Sequence, residues 1–158
     1  MNQKKRIDMK TKENNHEVVN RLNLLLSDLQ IVYQNLRTVH WLVKGHEFFM
    51  LHKLYEEYYT EMAEGIDEVA ERVLMLEGTP LFQFSDYLKH ASVKPLAEVP
   101  KGKESLKVVV ENYTHLLGSY RSLLALAADH NDEGTVAMMS EWIGSTEKKL
   151  WMLKATLA

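Results

Sequence analysis

Two pairs of side chains have the types and the spacing of metal ligands: His52 with Glu56, and Asp67 with Glu71, each pair four residues apart. On an α-helix, residues i and i+4 are neighbours on one face, so each pair can present two donor atoms together. Imidazole nitrogen and carboxylate oxygen suit iron, manganese or zinc better than a soft metal. The chain has no cysteine, which excludes disulfides, thiolate zinc sites and a cysteine nucleophile. Any bound metal must therefore rest on His, Asp and Glu.

The separation of the pairs carries the next step. Glu56 and Asp67 are eleven residues apart, close to three full turns, so they share a helix face yet stand roughly 16 Å apart along the axis. One helix cannot bring both pairs to one metal. If they converge, the second pair comes from another copy of the same helix, packed antiparallel across a two-fold axis, and such a dimer holds two sites. His40, at the edge of the preceding apolar stripe, faces the start of this helix across a short turn and is the natural third ligand beside His52. Spacing alone leaves plainer readings open, with the acids as a solvated face and the histidines as packing residues.

Other candidates are weaker. His46-Glu47-Phe48-Phe49-Met50 has Met where a zinc-protease helix needs its second His. Asp129 to Gly134 begins like a calcium loop, but the twelfth position is Ser140 rather than a bidentate acid. His16, His90, His115 and His130 have no partner at ligand spacing and read as surface or packing residues. Trp41, Trp142 and Trp151 read as core or interface anchors.

The elements that must position these residues are helical. In 158 residues, 46% hydrophobic and 26% charged, all three prolines (Pro80, Pro95 and Pro100) fall in one stretch, and none precedes them. Proline-free apolar periodicity of this length describes helices rather than strands. The first stripe, within about 15–43, is Leu22, Leu25, Leu29, Val32, Leu36, Val39 and Val43. The second, Leu51, Leu54, Tyr58, Met62, Ile66, Val69, Val73 and Leu76, stops at Gly78-Thr79-Pro80. Leu106, Val109, Tyr113, Leu116, Tyr120, Leu123 and Ala127 form the third. Val136, Met139, Ile143, Leu150, Leu153 and Leu157 form the fourth, with Asp132 as its N-cap. Residues 81–102 read as a long crossover containing a two-turn helix at FSDYLKHA, capped by Ser85 or Asp86. Two helical hairpins joined by one long connection match an all-α four-helix bundle of the ferritin-like kind. Gly65, Gly118 and Gly144 lie inside helices, where close helix approach would explain them.

Residues 1–12 carry four net positive charges, whereas the whole chain carries −3, so a basic arm precedes an acidic body. The expected division is an arm over 1–14, disordered, and a bundle over 15–158. A solvated end is the plain reading of the arm; contact with DNA phosphates is the functional one. The sequence holds no apolar run of membrane-spanning length and no secretory leader pattern, so a cytoplasmic protein is expected.

The run HWLVKGHEFFMLHKLYEEYY, residues 40–59, with IDEVAERVLMLEGTP, residues 66–80, resembles the signature of the Dps mini-ferritins, the DNA-binding proteins of starved cells. The resemblance extends over all four helices. It implies a ferroxidase centre between subunits, with His40, His52 and Glu56 from one chain and Asp67 and Glu71 from its two-fold mate. It also implies a hollow dodecamer that oxidises Fe(II), preferably with hydrogen peroxide and otherwise with oxygen, and stores the ferric product. Zinc or manganese could occupy the same ligands. Asp129, Asp132, Glu133 and Glu141 are candidates for cation entry pores, and Trp41, beside His40, for intercepting radicals. Three positions depart from the family habit: Glu56 is commonly Asp, Glu77 is often Gly, and His46 is usually another residue. The alternative is a non-enzymatic nucleoid protein that coats DNA through the arm alone, since an acidic body repels phosphates. A bundle without an active centre is a third reading, against which all five ligand positions are filled.

Overall fold

The computed structural model describes the backbone from residue 3 and the side chains from residue 16, so the basic arm expected over residues 1–14 lies outside the fully described part. The order is α1 (Gln3–Leu42), α2 (Phe48–Met75), α3 (Phe84–His90), one 3-10 turn (Gly102–Glu104), α4 (Ser105–Asp129) and α5 (Glu133–Leu157). The described residues contain no strand, and the four long helices form two antiparallel hairpins, as the stripes require.

All seven residues of the first stripe are buried, and they meet Leu51, Tyr58, Met62, Val69 and Val73 of α2 and Leu106, Val109, Leu116 and Leu123 of α4. Each fully buried leucine contributes about 2–3 kcal/mol relative to an exposed one, so the interior face of each helix is strongly specified. α5 buries less: Met139, Leu150 and Leu153 face inward, while Trp151 and Met152 are exposed.

The C-terminal ends of α2 and α4 are closed by backbone geometry. At the end of α2 the Gly78 N–H donates to the Val73 carbonyl and the Glu77 N–H to the Leu74 carbonyl, each at 2.9 Å. This is a Schellman closure, and it puts Glu77 at φ +61°, a conformation that favours glycine. Glu77→Gly should therefore raise stability by about 1 kcal/mol, read as a higher urea midpoint at unchanged slope. The α4–α5 turn repeats the motif with Asn131 at φ +57°. Asp132 then caps α5, accepting from the Thr135 N–H at 3.1 Å, as the sequence suggested.

The crossover runs along the C-terminal half of α1 and is clamped to it by three polar side chains. Asn23 donates to the Thr79 carbonyl and accepts from the Leu81 N–H. Asp28 accepts from the Ser92 and Val93 N–H groups at 2.6 and 3.1 Å. Asn35 donates to the Lys94 carbonyl and accepts from the Leu96 N–H. These bonds follow α1 in its own direction, so α4 begins where α1 ends, and the Gly102 N–H donates to the Lys44 carbonyl there. α2 and α4 consequently run parallel, a topology that needs a long connection.

Two expectations need correction. The N-cap of α3 is Gln83, without a side-chain bond; Ser85 and Asp86 lie inside its first turn, where Asp86 complements the helix dipole. Close approach explains Gly65, whose missing Cβ would lie 3.2 Å from the Trp142 ring, but a Cβ at Gly118 or Gly144 would meet only open space.

Candidate metal centre

α1 and α2 bring His40 and His52 together across the five-residue turn. Their rings stack with centroids 3.8 Å apart and planes 18° from parallel. His40 Nδ1 lies 2.7 Å from the His52 carbonyl oxygen, and His52 Nδ1 lies 2.9 Å from the His40 carbonyl oxygen. A carbonyl oxygen can only accept, so both Nδ1 atoms carry protons. In the neutral rings the lone pairs are therefore on Nε2. This reciprocal lock fixes both tautomers, the usual preparation of a histidine for metal binding.

Aromatic rings support the pair. Phe48 stacks on His52 at 5.0 Å, and Tyr59 meets His40 edge to face at 5.2 Å and Tyr33 at 6.2 Å. Phe48 and Tyr59 lie outside the apolar stripe of α2. The signal was present, since they stand four residues before and seven after His52 on the same helix face.

Glu56 stands one turn beyond His52 and is exposed, as are Asp67 and Glu71. α2 is continuous over Phe48–Met75, so the second acid pair remains about three turns from the first. Among the described residues, no three His, Asp or Glu side chains of one chain are placed to hold a metal ion. The structure thus brings His40 to His52 and keeps Asp67 and Glu71 away from both.

Arg72, adjacent to Glu71, pairs with Asp132 and donates to Thr135 Oγ1 at 3.0 Å, which fastens the end of α2 to the α4–α5 turn. Asp132, named as a pore candidate, has its carboxylate taken up by this pair and by the cap. Glu141 opens instead onto a cavity between α2 and α5. His115 is no idle surface residue, because its Nε2 lies 2.8 Å from the second oxygen of buried Asp28. His130 contacts Glu17 at 3.1 Å.

A second set of exposed side chains lies near the Asp67–Glu71 end. Leu74 and Met75 of α2, Phe82 of the crossover and Phe84 and Leu88 of α3 are exposed, Phe84 by 80%. Large apolar side chains left exposed in contiguous patches mark interaction sites, and Phe84 and Leu88, one turn apart on α3, share a helix face. No helix of the described residues is long and apolar enough to cross a membrane.

The sequence matches the ferritin-like domain family over residues 19–158. It is 44% identical over 138 residues to the DNA protection during starvation protein of Porphyromonas gingivalis, covering 87% of each chain. It is 34% identical to general stress protein 20U of Bacillus subtilis, covering 89% of this chain and 97% of the relative. The fold superposes on the crystal structure of a Dps protein from Vibrio cholerae, described as a member of the ferritin-like diiron-carboxylate proteins. That match has a TM-score of 0.91 and 41% identity, over 93% of this chain and 92% of the other.

Proposed function

Because the chain belongs to the ferritin-like proteins and, within them, to the Dps family of mini-ferritins, we propose that it is an iron-storage and detoxification protein with ferroxidase activity. In this reading Fe(II) is substrate and cargo. It is bound and oxidised at a centre shared by two chains and kept as ferric mineral inside a homo-oligomeric cage, a dodecamer. His40, His52 and Glu56 of one chain face Asp67 and Glu71 of its two-fold mate.

The reciprocal His40–His52 lock carries the proposal, since with both Nδ1 atoms donating to carbonyls the Nε2 of each ring is the atom left to ligate a metal. Imidazoles accept the incoming Fe(II), and carboxylates, as hard oxygen donors, favour Fe(III), so the mixed set biases the metal towards oxidation. Hydrogen peroxide is the preferred oxidant. One molecule takes an electron from each of two Fe(II) ions and two protons, giving two waters, whereas one-electron reduction would release a hydroxyl radical. Zinc or manganese would compete for the same ligands. The test is an anaerobic Fe(II) titration followed by a peroxide pulse, read by ferric absorbance. A burst at about one peroxide per two Fe(II) is expected; oxidation no faster than in protein-free buffer would overturn the reading.

The apolar side chains beside the Asp67–Glu71 end support a second copy of this chain as the partner there. Light scattering should report about 220 kDa, twelve times the chain mass of 18.3 kDa. A monodisperse monomer would remove the shared centre together with the cage.

DNA protection is the second part of the reading, with residues 1–14 as a basic arm and the protein cytoplasmic and nucleoid-associated when bound. The acidic body repels phosphates, so binding should weaken steeply with salt and disappear when residues 1–12 are deleted. Gel-shift assays at several salt concentrations check this, and unchanged binding by the truncated protein would move the contact to the cage surface.

A further inference from the structure

Between α2, α4 and α5, apart from the histidine pair, the bundle leaves a half-open cavity of about 210 Å³. Tyr113 and Tyr120 of α4 line it, only 3% and 4% exposed. Neither hydroxyl has a hydrogen-bond partner among the described residues. Nor is either oxygen sealed off, because among the described residues the one fully enclosed side-chain nitrogen or oxygen without a partner is Asn112 Nδ2. Burial raises both phenols above their ordinary range and the charge of Glu61 raises them further, so both stay neutral, and Glu61 stands near both oxygens. A buried hydroxyl left idle at a cavity wall is a place where a ligand's polar atom can be held.

The rim is acidic, with Glu61, Glu64 and Glu68 from α2 and Glu141 from α5. Glu61 is paired with Lys149, whose ammonium lies 2.6 Å away and 6.0 Å from the Tyr58 ring centre. The other three carboxylates form no ion pair among the described residues. The cavity therefore already seats one primary ammonium, supplied by the chain itself, and retains an excess of negative charge. Trp142 forms an apolar wall, held edge to face against Tyr120 at 5.3 Å.

Spread carboxylates define the ligand class. A divalent metal needs several oxygens converging on one point, and no three acids of the described residues do so. An extended organic dication fits better, because its ammonium ends reach separate carboxylates while its methylene stem lies along the indole. We propose that this cavity binds a small aliphatic diamine, one ammonium held by Glu64 and Glu68 and the other by Glu141 with the hydroxyls of Tyr113 and Tyr120.

Titration calorimetry of the assembled, iron-free protein with 1,4-diaminobutane at fixed ionic strength tests this. One saturable site per chain is expected, with binding at least about tenfold weaker for butylamine and for the Glu68→Gln/Glu141→Gln variant. Trp142→Phe, which keeps every charge, should weaken binding severalfold and supplies the test if the double variant does not assemble. Excess Mg²⁺ should displace little. Absence of saturable heat, equal affinity for butylamine, full displacement by equimolar Mg²⁺, or unaltered binding by an assembled variant would each overturn the proposal.

Discussion

His52→Ala and Asp67→Ala should each lower the initial rate of Fe(II) oxidation by about a hundredfold or more, although about three turns of α2 separate the two positions in one chain. Even partners of metal ligands cost roughly 10–100-fold when removed, so loss of a ligand falls at or beyond the upper end of that range. Neither change opens the core. Asp67 is exposed, and the His52 side chain loses one hydrogen bond, to the His40 carbonyl, worth about 1 kcal/mol. Mixed assemblies decide how the centre is built. When a His52→Ala chain pairs with an Asp67→Ala chain, one shared centre carries both lesions and the other carries none, so about half the activity should return. A centre contained within one chain would leave every site damaged. Stopped-flow absorbance on verified mixed dimers reads the difference, and no recovery there would refute the shared centre while leaving the fold untouched.

Asp28→Ala should be the most damaging single change to stability outside the apolar stripes. The Asp28 carboxylate is buried on α1, takes the Ser92 and Val93 N–H groups on one oxygen and meets His115 of α4 on the other. Removing it leaves two crossover amides without partners and opens a void between α1 and α4. An amide N–H left without its partner on burial costs about 1–3 kcal/mol, so urea unfolding should show a loss of about 2–4 kcal/mol from the two amides. Hydrogen exchange localises the cause. The amides of Ser92 and Val93 should exchange much faster, while those in the middle of α2 change only by the global loss. A loss without accelerated exchange at these two residues would place the damage in helix packing instead.

The amphipathic pattern made most of the architecture legible. Every residue of the first stripe is buried, and all three prolines fall between the hairpins, because a period near 3.6 and the breaking of helices by proline are local properties of the chain. The same period placed Glu56 and Asp67 on one face and too far apart for one metal, so a centre using both pairs would need a second chain. The caps were only partly legible. Asp132 was found because a cap bonds three residues ahead, whereas α3 starts at Gln83 with no side-chain bond to betray it.

Tertiary structure alone decided the rest. The His40–His52 lock joins two carbonyls to two rings across twelve residues, and no spacing rule encodes it. Asp28 and His115 are 87 residues apart, and Asn23, Asp28 and Asn35 stand beside an apolar stripe where sequence offers no sign of what they hold. Their partners are backbone groups of an irregular crossover, which are alike at every residue and become distinguishable only by position. Local periodicity therefore determined which faces are buried and which side chains could bind metal. Folding decided which polar groups meet, because a buried carboxylate or imidazole is tolerable only where the remote chain supplies its partners.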